Sequence, residues 1–366
     1  MRRRTFLREA TRSSLALGLA PRLVAAAGAA PHTRAVLNPP VVPRPLIMDA
    51  MGELRAEYDS GVVRDMLESG IRSITVTLCD PKPVGAEGLQ AAIDGLAEYD
   101  RLVASHPEWY LRATRVAHVD EARRAGRMAV FYLYQNTVQF GTDLDRIDMF
   151  YRLGLRSCQL TYNDRNAAGA GCKSTGGITE FGRSVIDRMN RLGMLVDLSH
   201  ASMDTMAGAI AASREPVHIS HTGCMAVHQH VRNTTDANLR ALASAGGVVG
   251  ICQIRPFLTT KKTSNLDAYL DHIDHAVKVA GIEHVCIGSD RDHRVITLSP
   301  EYVAQLKREE GAQVVDDELP LFLEALNGPR RMEVIWGALE KRGYATGDIE
   351  RIMGANLYRL YRDVIG

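Results

Sequence analysis

Met194-Leu195-Val196-Asp197-Leu198-Ser199-His200 and Pro216-Val217-His218-Ile219-Ser220-His221 are two apolar runs that each stop at a Ser-His pair. The residues between them, Ala201 to Ser213, suit a helix. Short apolar runs joined by about a dozen helix-compatible residues are the pattern of buried parallel strands linked by a crossover helix. Parallel strands share their direction, so both imidazoles leave the same, carboxyl, end of neighbouring strands. A barrel of parallel strands keeps its chemistry at that end, and imidazole is a common zinc ligand. A lone histidine at a loop start usually does no more than hydrogen-bond. The repetition of Ser-His at matched strand ends points instead to a site.

The alternation continues outward from this unit. Strands are expected at 46–49, 71–78, 128–134, 157–161, 194–200, 216–221, 247–252 and 284–289, and helices at 61–69, 85–105, 144–153, 179–191, 201–213, 236–244 and 266–280. Eight alternations predict an α/β fold, a (β/α)8 TIM-like barrel. Additional C-terminal helices over 300–366 are expected to close one end of it or to pack outside. The 44 Lys plus Arg against 43 Asp plus Glu leave no field of one sign to draw nucleic acid or an acidic membrane surface, so the expected partner is a small molecule. Six cysteines without a C-x-x-C pair give no zinc-ribbon or thioredoxin signal. Cys79, Cys158, Cys252 and Cys286 read as small core residues, whereas Cys172 and Cys224 fall in expected loops, free or paired.

The amino terminus carries an address. Arg2-Arg3-Arg4-Thr5-Phe6-Leu7-Arg8, followed by an apolar run from Leu15 to Ala30, resembles a twin-arginine export signal with small-residue cleavage sites at Ala25-Ala26-Ala27 or Ala27-Gly28-Ala29. The expected organisation is a signal over 1–30, a proline-rich linker over 31–45 and one barrel domain over 46–366. The expected location is the periplasm or beyond, reached through the twin-arginine machinery. No other stretch approaches the roughly 18 unbroken apolar residues that a spanning helix needs.

Residues at or just past the expected strand ends are Asp49 to Glu53, Cys79, Asp80, Gln135, Tyr162, Asn163, His200, His221, Gln253 and Asp290. Asp290, after the last strand, either deprotonates an attacking water or caps the following turn. Arg232, eleven residues after His221, either clamps a substrate carboxylate or forms a surface ion pair. Tyr162 and Asn163 are placed as substrate contacts. His228-Gln229-His230 is expected to shape the pocket rim, and His272 and His275 read as ordinary helix-face residues.

Together these residues resemble the membrane (renal) dipeptidase family, zinc peptidases with an amidohydrolase-like barrel. The resemblance rests on Gly193 to His200, Ile219-Ser220-His221, Arg232-Asn233-Thr234-Thr235-Asp236, Gly246 to Gly250 and His284 to Asp290, with Phe181-Gly182 and Met353-Gly354-Ala355-Asn356 as further landmarks. It implies two zinc ions sharing a bridging glutamate. One ion is held by a His-x-Asp pair after the first strand, the other by two histidines matching His200 and His221. It further implies an aspartate assisting the attacking water at Asp290 and an arginine holding the dipeptide carboxylate at Arg232, and it is compatible with a homodimer.

The sequence departs from that pattern at the metal site. Met51 and Glu53 occupy the His-x-Asp positions, Gln135 the bridging glutamate and Tyr162 a further histidine. Two divalent ions a few Å apart need bridging anions to offset their repulsion, and thioether suits zinc poorly among oxygen and nitrogen donors. The expected cofactor is therefore one zinc ion on His200 and His221, completed by Gln135, Glu53, Asp290 or water. The expected function is an exported, mononuclear metallohydrolase that cleaves an amide bond in a dipeptide or modified peptide. The alternative is a catalytically impaired pseudopeptidase that acts as a periplasmic peptide- or metabolite-binding or maturation accessory protein; a different chemistry on the same barrel is a third reading.

Overall fold

In a computed structural model, residues 45–263, 266–309 and 318–366 are described. The export signal, and all of the linker but Pro45, lie outside the described residues. The strands are β1 (Ile47–Gly52), β2 (Ile71–Thr77), β3 (Tyr110–Arg112), β4 (Met128–Tyr134), β5 (Leu155–Gln159), β6 (Leu195–Asp197), β7 (His218–Thr222), β8 (Val248–Ile251) and β9 (Val285–Ile287). Between and after them run α1 (Ser60–Glu68), α2 (Gly85–Ser105), α3 (Ala117–Arg124), α4 (Asp145–Arg152), α5 (Glu180–Leu192), α6 (Met203–Ala212), α7 (Asp236–Ser244), α8 (Arg255–Leu258), α9 (Asp267–Ala280), α10 (Pro300–Glu309), α11 (Arg331–Lys341), α12 (Thr346–Glu350) and α13 (Asn356–Val364).

Eight of the strands form a closed parallel barrel. The sheet runs β2-β1-β9-β8-β7-β6-β5-β4, and β4 returns to β2 with Ser73 opposite Ala129 through Thr77 opposite Leu133. The ninth strand, β3, and helix α3 were not expected. β3 lies outside the ring and pairs only with the start of β4; its three residues are too short to show a period.

Local chemistry fixes the elements that carry the site. Thr179 caps α5 by accepting from the Gly182 amide, and Gly193 ends it in the left-handed region at φ 70°. Ser202 and Thr235 cap α6 and α7 in the same manner. At β7 the backbone neighbours come unusually close: a Cβ at Gly250 or Gly288 would sit 2.0 or 1.7 Å from the Ser220 carbonyl oxygen. These glycines of β8 and of the turn after β9 let the strand bearing His221 nestle between them.

The opposite end of the barrel is plugged. Leu357, Leu360, Tyr361 and Val364 of α13 pack with Met48, Ala50, Ala129, Phe131, Leu195, Val248 and Cys286. The Tyr361 hydroxyl lies 2.5 Å from Thr75 Oγ1, and Asn356 donates to the Ile282 and Val285 carbonyls. Of the two roles expected for the C-terminal helices, α13 takes the closing one. All six cysteines are free thiols; Cys79, expected in the core, is half-buried, and Cys224, expected in a loop, is buried there. No helix among the described residues is long and apolar enough to cross a membrane.

His272 of α9 is not an ordinary helix-face residue. It is buried, its Nδ1 accepts from the Cys224 amide at 2.8 Å, and its Nε2 faces the Leu258 carbonyl at 3.2 Å. An imidazole that accepts on one side and donates on the other is neutral, and burial lowers its pKa to about 4. The unfolded chain takes up this proton below about pH 6.5. The contribution of His272 is therefore complete above that pH and lost as the pH falls toward 4, on the order of 3 kcal/mol in all. Urea midpoints should fall across this window and fall less in His272→Gln; parallel profiles would contradict the assignment.

Candidate active site at the carboxyl ends of the strands

His200 and His221 leave β6 and β7 and meet: their Nε2 atoms lie 3.0 Å apart. Behind each ring a polar partner fixes the tautomer. The Asn163 amide oxygen can only accept, so His200 Nδ1, at 2.7 Å, carries the proton. Ser220 Oγ donates to Asp197 Oδ2 at 2.6 Å and thus accepts from His221 Nδ1 at 2.8 Å. Both Nε2 atoms therefore present lone pairs to one another. Two lone pairs at this distance repel, and a shared cation converts the repulsion into ligation. Burial lowers the pKa of both imidazoles, that of His221 to about 3, and the Arg232 charge adds to it, so neither is held as a cation.

Asp197 anchors this arrangement from beneath. It is fully buried and accepts from the amides of Ser199 and Ser220, both at 3.0 Å. Burial alone would raise its pKa; the imidazoles of His218 and His221 and the bonds from Ser220 and Ser199 outweigh that and hold it below the usual carboxylate value. Ser199 Oγ receives the His221 amide at 3.0 Å and contacts Ser220 Oγ at 3.0 Å. The serines of the two Ser-His pairs are thus the supports of the histidines. Sequence reasoning marked the pairs without assigning the serines or Asp197 a role; the available signal was an aspartate inside an apolar run.

Two other expected ligands have partners of their own. Gln135 is buried against Met51, its Nε2 at 3.7 Å from the thioether sulfur, so two departures from the family pattern pack on each other. Glu53 is committed to Arg55, 2.5 Å from Nη2 and 2.7 Å from Nε. Among the described residues no group of three or more His, Cys, Asp and Glu could hold a metal ion. Asp49 ties β1 to β9 by accepting the Ser289 amide at 2.8 Å and hydroxyl at 2.5 Å. The donor set fits one ion on the histidine pair and does not fit a second ion at Met51, Glu53 and Gln135.

Tyr162 stacks on His200, ring centroids 4.2 Å apart, and walls the pair. Asn163, expected at the substrate, spends its carbonyl oxygen on His200 and on the Cys172 thiol at 3.3 Å. That oxygen holds the His200 ring in place. Asn163→Leu should weaken zinc binding roughly 10- to 100-fold, measured by competition with a chromophoric chelator; unchanged affinity would remove this role.

Arg232 is buried rather than in a surface ion pair. Its Nη2 reaches only the His221 carbonyl at 3.4 Å, and its Nε and Nη1 have no hydrogen-bond partner. His230, whose Nδ1 accepts from the Arg232 amide at 3.2 Å, stacks on Phe257, in keeping with a rim role. Asp290 follows β9 with its amide on the Met51 carbonyl at 2.8 Å. His200 and Asp290, at φ 65° and 54°, are the non-glycine residues in the left-handed region among those described. Such backbone conformations cost about 1–3 kcal/mol each and cluster where function maintains them.

A closed parallel barrel with a lone-pair histidine couple, an orphaned arginine and an aspartate at its carboxyl face is the architecture of a barrel hydrolase. The sequence matches the membrane dipeptidase family, peptidase family M19, over residues 63–301, and the chain belongs to that family. The matched stretch holds His200, His221, Arg232 and Asp290 and omits β1 with Met51 and Glu53. The dipeptidase verJ of Clonostachys rogersoniana is 29% identical over 76% of this chain and 66% of its own length. An uncharacterized dipeptidase of Schizosaccharomyces pombe is 38% identical over 46% of this chain and 43% of its own. The chain therefore spans less than two thirds of either relative. Among solved structures, an amidohydrolase from Pseudomonas aeruginosa superposes with a TM-score of 0.77 at 24% identity, covering 88% of this chain and 97% of that one. A dipeptidase of family M19 gives 0.76 at 19%, covering 88% and 99%. These two likenesses show the fold.

Proposed function

We propose that this chain is an exported hydrolase that cleaves the amide bond of a dipeptide or small modified peptide with one divalent ion, zinc, on His200 and His221. The observation that carries the reading is the pair of Nε2 lone pairs 3.0 Å apart, each fixed from behind by Asn163 or by Ser220 and Asp197. When bound, the ion supplies Lewis-acid polarisation of the scissile carbonyl. Arg232 takes the carboxylate of the peptide on its open Nε and Nη1 donors. Asp290 accepts a proton from the attacking water as its oxygen bonds the carbonyl carbon, and delivers it to the amine as the C–N bond breaks. Twin arginines Arg2-Arg3 support export, and a homodimer accords with the family.

One observation favours the alternative of binding without turnover: no third His, Cys, Asp or Glu joins the histidine pair among the described residues. Amino-acid release from a panel of dipeptides separates the two. Hydrolysis that stops with chelator and returns with zinc supports the hydrolase; peptide binding with no release under either condition supports the binding protein.

A further inference from the structure

A second arginine past the end of β9 is buried with no ion-pair partner among the described residues. Arg291, next to Asp290, is 5% exposed and Arg232 is 4% exposed. Arg291 Nη2, like Nε and Nη1 of Arg232, has no hydrogen-bond partner, and no described carboxylate pairs with its guanidinium. Each cation lies instead over a phenylalanine, Arg232 at 5.2 Å from the Phe257 ring and Arg291 at 5.3 Å from that of Phe322. The two rings belong to one unit. Phe257 is in α8, and the segment carrying Phe322 is joined to α8 by the Arg255 amide on the Leu321 carbonyl at 2.9 Å and by Arg255 Nε on that of Pro320 at 2.7 Å.

Both arginines lie within electrostatic reach of one buried group. The charged groups felt by the buried Cys252 thiol, past the end of β8, are Asp290, Arg232 and Arg291. Other arginines nearby are engaged: Arg55 with Glu53 and Asp292, Arg294 with Asp292, and both Nη atoms of Arg331, though not its Nε, with the carbonyls of Arg291, Asp292 and Gly328. A guanidinium buried without an anion is costly, and it persists where an anionic ligand completes it.

We propose that Arg291 is a second carboxylate-binding residue, and that the substrate is a dianionic dipeptide with its main-chain carboxylate on Arg232 and an acidic side chain, aspartate or glutamate, on Arg291. This rests on the peptide-hydrolase reading above and sets its specificity. A fork of donors stacked on an aromatic face suits a planar carboxylate.

The test is isothermal titration of the full-length, chelator-treated protein with Ala-Ala and Ala-Glu, beside kcat/KM for both on the zinc-loaded protein. Ala-Glu should bind roughly 10- to 100-fold tighter than Ala-Ala, with the gap narrowing as salt is raised. Arg291→Gln should bring Ala-Glu down to Ala-Ala, Arg291→Lys should keep part of the gap, and Arg232→Gln should weaken both peptides. A gap that survives Arg291→Gln, or equal affinities in the wild type, overturns the role of Arg291 and leaves the hydrolase reading standing. Absence of binding and of cleavage for both peptides overturns the two together.

Discussion

Asp290→Asn lowers kcat/KM for a susceptible dipeptide by about 10²- to 10⁴-fold, the range of a lost general acid–base group. The substitution is nearly isosteric, and asparagine tolerates the left-handed region at least as well as aspartate. The φ of 54° and the amide bond to the Met51 carbonyl at 2.8 Å are therefore kept. Zinc affinity and the urea midpoint should stay close to wild type, which separates lost proton transfer from lost structure. Turnover equal to wild type would remove Asp290 from the chemistry.

Arg232→Met has effects of opposite sign on activity and stability. Methionine keeps an unbranched apolar stem against Phe257 and removes two buried donors that the protein leaves unpartnered. Losing one partner of a buried, hydrogen-bonded charge pair costs at least about 2 kcal/mol, so kcat/KM should fall roughly thirtyfold or more. The free protein should become more stable, because a desolvated cation is gone. A dipeptide amide, which lacks the carboxylate, should be nearly indifferent to the change. Equal losses for acid and amide, or a destabilised free protein, would argue for a structural Arg232.

The barrel was legible because its signals are local and repeated. The expected bounds of α2 and α7, 85–105 and 236–244, coincide with those observed, and the ring contains the eight expected strands. Strand ends were less legible. The run to His200 reads as one strand, yet β6 stops at Asp197, because a positive φ at His200 turns the chain out of the sheet. The proposal of His200, His221, Arg232 and Asp290 as site residues came from residue type, position and the family resemblance. What each neighbour does depends on pairings across the chain that spacing does not encode: Asn163 behind His200, Ser220 between His221 and Asp197, Gln135 on Met51, and Arg291 over Phe322. Glu53 is the exception, since its partner Arg55 stands two residues away and the ion pair was available to local reading.

Met51 and Gln135 give the departure from the family pattern a physical content. A thioether and a neutral amide in contact fill space where two ions would need anions, and the nearby carboxylate of Glu53 is balanced by an arginine. The histidine pair, in contrast, retains a support behind each ring. That contrast supports the proposal of a single cation on the histidine pair.

Zinc per chain is the most direct measure of that claim. Elemental analysis of mature protein purified without chelator or affinity metal, beside the His200→Ala/His221→Ala double variant, should give about one zinc in the first and none in the second. Two per chain, or one that survives loss of both histidines, would contradict a single ion on this pair, and none after reconstitution with zinc would make the chain a binding protein.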